Sequence, residues 1–130
     1  MAHTLEGQNV DLLKRVRVLI VEDAWHVAKA LKSTLEQIGM HVIGPTATTG
    51  QARGLAAAQR PELAIVDINL KQETSYGLID DLHEQGVRII VISGYAAPPV
   101  TKDNVAAILQ KPFSGSELIT TMNRVVASTR

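Results

Sequence analysis

Apolar and polar positions along this chain follow two alternating periods. Val16-Arg17-Val18-Leu19-Ile20-Val21, Leu63-Ala64-Ile65-Val66 and Val87-Arg88-Ile89-Ile90-Val91-Ile92 are short continuous runs of aliphatic and β-branched residues, the mark of strands buried on both faces of a parallel sheet. His41-Val42-Ile43-Gly44, stopped by Pro45, and the weaker Ala106-Ala107-Ile108-Leu109-Gln110 add two more. Between them the period becomes helical. Ala24, Ala28, Leu31, Leu35 and Ile38 recur at intervals of four and three, closed by Gly39 as the residue just past a helix end. Thr48 or Thr49 can cap a helix running to about Gln59 with Ala52, Leu55 and Ala56 inward.

After the third run the polar loop Lys71-Gln72-Glu73-Thr74 leads to Ser75 as an N-cap and a helix carrying Leu78, Ile79 and Leu82, ended by Gly86. Ser114 and Glu117 form an S-x-x-E capping box opening a last helix with Leu118, Met122 and Val125 on one face. Pro98-Pro99 and the polar residues after it leave room for little more than one helical turn before Val105. Five strands alternating with helices require crossover connections, so the chain reads as α/β with a five-stranded parallel sheet. Residues 1–15 read as an N-terminal extension or short helix and 16–130 as the domain.

Length and charge narrow the classes. With 130 residues, 45% hydrophobic, the chain holds one domain with a real core. Thirteen basic and thirteen acidic residues cancel without a basic run, so no nucleic-acid partner is expected. Cysteine is absent, which removes thiolate metal sites and accords with a cytoplasmic location. No run reaches the ~20 apolar residues of a membrane span, and none is expected.

The chemistry gathers where the strands end. Glu22-Asp23 close the first strand, Asp67 the third, Ser93 the fourth and Lys111 the fifth, and the carboxyl edge of a parallel sheet is where ligands bind. Two carboxylates ~4 Å apart repel by on the order of 4 kcal/mol at a surface-like dielectric, so the cluster calls for a cation. Hard oxygen ligands and few carboxylates suit Mg²⁺, with Mn²⁺ able to substitute. Asp23 would hold it directly, Glu22 directly or through water, with Asp67 and the backbone carbonyl of Asn69 completing the protein ligands. A Lys ammonium and a Ser hydroxyl beside a metal-bound carboxylate match the oxygens of a transferring phosphoryl group. Asp67 is then the nucleophile, with Lys111 pairing with a phosphoryl oxygen and Ser93 contributing once phosphate is present.

These residues resemble the receiver domains of two-component response regulators. Val21-Glu22-Asp23, Val66-Asp67-Ile68-Asn69, Ile92-Ser93-Gly94 and Lys111-Pro112-Phe113 stand in the family's order and spacing. The resemblance covers nearly the whole chain. It implies a flavodoxin-like (βα)5 fold with strand order 2-1-3-4-5 and a Lys111–Pro112 bond that can be cis. It also implies Mg²⁺-dependent phosphorylation of Asp67 by a histidine kinase or phosphotransfer protein. Such a chain is a phosphoacceptor that assists its own phosphorylation and dephosphorylation, not a multiple-turnover enzyme.

The resemblance also exposes departures. The aromatic residue that most receivers carry three positions before the lysine is Ile108 here, Lys71 stands where proline is common, and the loop after Asp67 is longer than typical. Together with the reduced fourth helix these mark a divergent, single-domain subgroup, in which Tyr95 or the loop from Ala96 to Asn104 would carry the signal instead. A stand-alone regulator is expected, acting through an unknown downstream protein or as a phosphate sink, with homodimerisation open. The alternative is a receiver-like interaction module that does not use phosphate. A phosphohydrolase would need an acid/base residue two positions beyond Asp67, where Asn69 stands.

Overall fold

The computed structural model describes residues 9–94, 100 and 103–128. Among these the sheet strands are β1 (Arg17–Val21), β2 (His41–Thr46), β3 (Leu63–Asp67), β6 (Arg88–Ser93) and β7 (Ala107–Gln110), and the helices are α1 (Trp25–Gln37), α2 (Thr49–Gln59), α3 (Tyr76–Glu84) and α4 (Gly115–Ala127). A small hairpin, β4 (Asn69–Leu70) and β5 (Glu73–Thr74), lies between β3 and α3. All four pairings in the main sheet are parallel, in the order β2-β1-β3-β6-β7. Setting the hairpin aside, this is the 2-1-3-4-5 order expected, and the fold is flavodoxin-like α/β.

The two faces of the sheet bury separate sets of side chains, as the two-residue period of a strand dictates. Val18, Ile20, Leu63, Ile65, Ile90 and Ile92 pack toward α1 and α4, while Leu19, Val21, Ala64, Val66, Ile89 and Val91 pack toward α2 and α3. Each fully buried aliphatic side chain stabilises by roughly 1.5–3 kcal/mol, so the central strands anchor the edge at which Asp67 emerges. The caps also form as the sequence predicts. Thr48 accepts from Gln51 N–H at the start of α2, Ser114 and Glu117 make the reciprocal capping box of α4, and Gly39 and Gly86 take positive φ just beyond α1 and α3.

Three local expectations change. β2 runs through Pro45 to Thr46 instead of stopping before the proline. It is an edge strand whose pairing with β1 shifts register between Leu19–Ile43 and Val21–Thr46, and an irregular edge tolerates a residue without an N–H. The polar loop after Asp67 is a hairpin turning at Lys71-Gln72, with Asn69 opposite Thr74 and Leu70 opposite Glu73. Ser75 precedes α3 but makes no side-chain cap. Residues 9–15 pack onto the core: Asp11–Leu13 form one 3-10 turn, Leu13 is fully buried, and Asn123 Nδ2 donates to Asn9 O (2.7 Å). Among the described residues joining β6 to β7, 100 and 103–106, there is no helix, and Val100 and Val105 rest on the α2/α3 face.

Candidate functional site

Register places the reactive residues together. Asp67 ends β3 opposite Ile92, Ser93 follows at the end of β6 opposite Gln110, and Lys111 is the next residue after β7, its N–H donating to Ser93 O (2.7 Å). Glu22 follows β1, held by its N–H on Thr46 O (2.9 Å). Carboxylate oxygens of Glu22, Asp23 and Asp67 lie within 4.8 Å of one another. Glu22 is only 2% exposed and Asp67 6%. Ser93 is buried as well.

Lys111 Nζ bridges the two buried carboxylates, 2.9 Å from Glu22 Oε1 and 2.9 Å from Asp67 Oδ2. The other oxygens have their own donors: Glu22 Oε2 accepts from Ala24 N–H (3.2 Å), Asp67 Oδ1 from Asn69 N–H (3.2 Å), and Asp23 Oδ2 from Lys71 N–H. Asp67 O accepts from the buried Ser75 hydroxyl (2.6 Å), which explains why that side chain does not cap α3. The Lys111–Pro112 bond is cis.

Burial is the main influence on Glu22 and pushes its carboxyl above the ordinary range; Asp67 adds to the rise, while Lys111 and Ala24 N–H oppose it. Burial alone would lower the Lys111 ammonium, but its contacts with Glu22 and Asp67 outweigh it and the net direction is upward. One ammonium thus faces three carboxylates, and Glu22 Oε1 is buried without an aligned hydrogen-bond donor, its contact with Lys111 being an ion pair. A hard divalent cation fits this donor set, which consists of oxygens with surplus negative charge.

The residues singled out from the sequence fall in two groups. Glu22, Asp23, Asp67, Ser93, Asn69 and Lys111 converge on this edge. Ile108 lies on the edge strand β7 opposite Val91, three residues before Lys111 and 38% exposed, and Tyr95 and much of the loop to Asn104 lie outside the described residues. Trp25 is the first residue of α1 and 72% exposed, with Lys29 Nζ 5.6 Å from its ring centroid. Sequence reasoning missed Ser75 as a support for Asp67 and the Lys71 N–H as a partner of Asp23. It also placed Glu73 only in a polar loop, whereas its carboxylate accepts from Thr49 N–H (3.0 Å) and Thr49 Oγ1 (2.6 Å). An apolar groove of about 410 Å³ between α1 and α4, lined in part by His26, Leu31, Phe113 and Leu118, opens beside Lys111.

A parallel five-stranded sheet with carboxylates, a serine and a lysine on its carboxyl edge is the arrangement of receiver-like α/β domains. The chain belongs to the response regulator receiver domain family, whose model matches residues 18–123. It is 38% identical over 111 residues to the KDP operon transcriptional regulatory protein KdpE of Escherichia coli, covering 78% of this chain and 47% of that protein. It is 31% identical over 127 residues to the probable transcriptional regulator ycf27 of Guillardia theta, covering 93% and 49%. The chain therefore spans about half the length of these relatives. Among solved structures, a CheY-like response regulator receiver domain from Methylobacillus flagellatus superposes with a TM-score of 0.76 at 19% identity, covering 86% of this chain and 99% of that one. Receiver domains of this family are in general phosphoacceptors of two-component systems, bind Mg²⁺ in an acidic pocket and are not multiple-turnover enzymes. No helix among the described residues is long and apolar enough to cross a membrane.

Proposed function

We propose that this chain is a phosphorylation switch in which Asp67 accepts a phosphoryl group from a histidine kinase or phosphotransfer protein. The observation that carries this reading is the Asp67 carboxylate, buried at the tip of β3 and held 2.9 Å from Lys111 Nζ beside Glu22 and Asp23. An Asp67 oxygen attacks phosphorus as the P–N bond of a phosphohistidine donor breaks, leaving an acyl phosphate on the chain and a free imidazole on the donor. Lys111 pairs with a phosphoryl oxygen, and the Ser93 hydroxyl donates to another. Glu22, Asp23, Asp67 and the Asn69 carbonyl would hold Mg²⁺ or Mn²⁺. Bound there, the cation neutralises charge on the phosphoryl oxygens.

In the resting state Lys111 is committed to Glu22 and Asp67. Its transfer to a phosphoryl oxygen is the local event that biases the switch, and a shift from 1:99 to 99:1 needs ~5.5 kcal/mol of differential stabilisation. The apolar groove beside Lys111 offers a surface against which the phosphodonor can rest. We read the output as contact with a protein partner or drainage of phosphate from another regulator, in the cytoplasm and without nucleic-acid contact by this domain. With Ile108, 38% exposed on β7, at the position where most receivers carry an aromatic, that output passes through Tyr95 or the loop from Ala96 to Asn104.

The test is intact-protein mass after incubation with acetyl phosphate and Mg²⁺, for wild type and Asp67→Asn, with an EDTA control. A labile added phosphoryl group on wild type alone, lost with EDTA, is expected. No addition to either protein would replace the switch with a phosphate-independent interaction module, and steady phosphate release with turnover would make it a hydrolase.

A further inference from the structure

The rim of the acidic cluster is closed by a circuit of hydrogen bonds that the phosphoryl chemistry does not itself require. Lys71, in the turn between β4 and β5, donates its N–H to Asp23 Oδ2. Two residues later the Glu73 carboxylate accepts from Thr49 N–H (3.0 Å) and Thr49 Oγ1 (2.6 Å) in the first turn of α2. At the end of β2, three residues before Thr49, Thr46 O accepts from Glu22 N–H (2.9 Å). The path runs from Asp23 through the hairpin to α2, back along the chain to β2, and returns at Glu22.

A hairpin with two-residue strands has little stability of its own. Leu70 is buried, but Asn69, Glu73 and Thr74 are exposed, so apolar burial fixes one point of the hairpin and leaves its rotation about that point undetermined. The Glu73 side chain supplies the second anchor through its two hydrogen bonds from Thr49, which hold the hairpin at a second point. The turn between these anchors carries the N–H that meets Asp23.

We infer that Glu73 is a positioning residue: by clamping the hairpin to α2 it fixes the Lys71 N–H that orients Asp23 for a divalent cation. The inference rests on the reading of Glu22, Asp23 and Asp67 as a Mg²⁺ site. It assigns the work to the Glu73 side chain and to the Lys71 backbone N–H. It also assigns the work to hydrogen bonding and not to charge. Glutamine at position 73 can accept from Thr49 N–H through its carbonyl and donate to Thr49 Oγ1 through its amide.

Mg²⁺ titration calorimetry on the full chain, with amide exchange of Lys71 measured in EDTA, tests this. Glu73→Ala is expected to weaken Mg²⁺ binding by roughly tenfold, the scale of a lost partner behind a metal ligand, and to speed Lys71 amide exchange; Glu73→Gln is expected to match wild type in both. Wild-type affinity in Glu73→Ala overturns the inference, and so does an equal loss in Glu73→Gln, which would make the effect one of charge. If Glu73→Ala does not fold, Thr49→Val, which removes the 2.6 Å bond, must show the same two changes in smaller measure, and no change overturns the inference. A wild-type chain that binds no Mg²⁺ removes the metal reading and this inference together. One that binds it with Glu73→Ala unaffected leaves the metal reading standing and removes the inference alone.

Discussion

Lys111 Nζ and Asp67 Oδ2 stand 2.9 Å apart, joining the residue after the edge strand β7 to the tip of the central strand β3. The same ammonium is 2.9 Å from Glu22 Oε1. In the absence of a divalent cation it is therefore the charge that lets two buried carboxylates share one edge.

Lys111→Met should leave Glu22 and Asp67 facing one another without compensation. Uncompensated buried polar and charged groups cost about 1–3 kcal/mol or more, and the partial exposure of the lysine places the loss toward the lower end. Urea denaturation in EDTA should show this loss, and saturating Mg²⁺ should recover most of it, since a cation replaces the missing charge. A variant as stable as wild type in EDTA would show that the ion pair contributes nothing to the resting fold. The same variant is expected to take phosphate from acetyl phosphate far more slowly, because the phosphoryl oxygen loses its partner.

Glu73 gives a pH-dependent prediction away from the acidic cluster. Its carboxyl lies below the ordinary 4.5, chiefly because the Thr49 hydroxyl donates to it, with Thr49 N–H second. A lowered folded-state value means that the unfolded chain binds the proton first, so the stability that ionisation of Glu73 adds is fully present above pH 4.5 and is lost as pH falls through the lowered value. The Thr49 amide resonance should titrate with Glu73, and Thr49→Val should move the midpoint upward. Coincident midpoints in the two proteins would deny that the hydroxyl sets it.

Ser75 is fully buried and donates to Asp67 O at 2.6 Å. Ser75→Ala removes the donor and leaves the carbonyl without that partner, costing about 1–2 kcal/mol. The loss should appear as a lower urea midpoint with an unchanged slope. Because the bond steadies the backbone of the phosphoacceptor, phosphorylation should slow but not stop, in contrast to Asp67→Asn. A Ser75→Ala chain with wild-type stability would show that the hydroxyl is replaceable by water.

The sheet and its reactive edge were legible because both depend on strong, local signals. Runs such as Leu63-Ala64-Ile65-Val66 read as strands buried on both faces, their alternation with helical periods points to a parallel sheet, and a carboxylate at the end of such a run marks the edge. The hairpin was not legible, since Asn69-Leu70 and Glu73-Thr74 are too short to show alternation. Glu73 looked like any exposed acid because its partner Thr49 is distant in sequence and itself reads as a cap. Ser75 fits two roles before a helix, capping or donating backward, and only the position of Asp67 O selects the second. The strand through Pro45 was masked by a residue that ends interior strands but not irregular edges.

Leu13 tests how far the fold extends toward the N-terminus. From the sequence, residues 1–15 read as an extension or short helix ahead of a domain beginning at 16; Leu13, in the 3-10 turn, is fully buried and packs in the same cluster as Val18, Leu35 and Val125. If the 3-10 turn were an appendage, Leu13→Ala would cost little. As part of the core it should cost about 2–4 kcal/mol, the range for deleting a buried leucine side chain, with the value set by how far α4 can settle into the space left behind. Urea denaturation of Leu13→Ala beside Leu12→Ala separates the two cases, because Leu12 is only partly buried on the same turn and should lose well under half as much. Equal small losses would return residues 9–15 to the status of an extension. A large loss at Leu13 alone places the start of the folding unit ahead of β1, so truncation at residue 16 would destabilise the sheet whose edge carries Asp67.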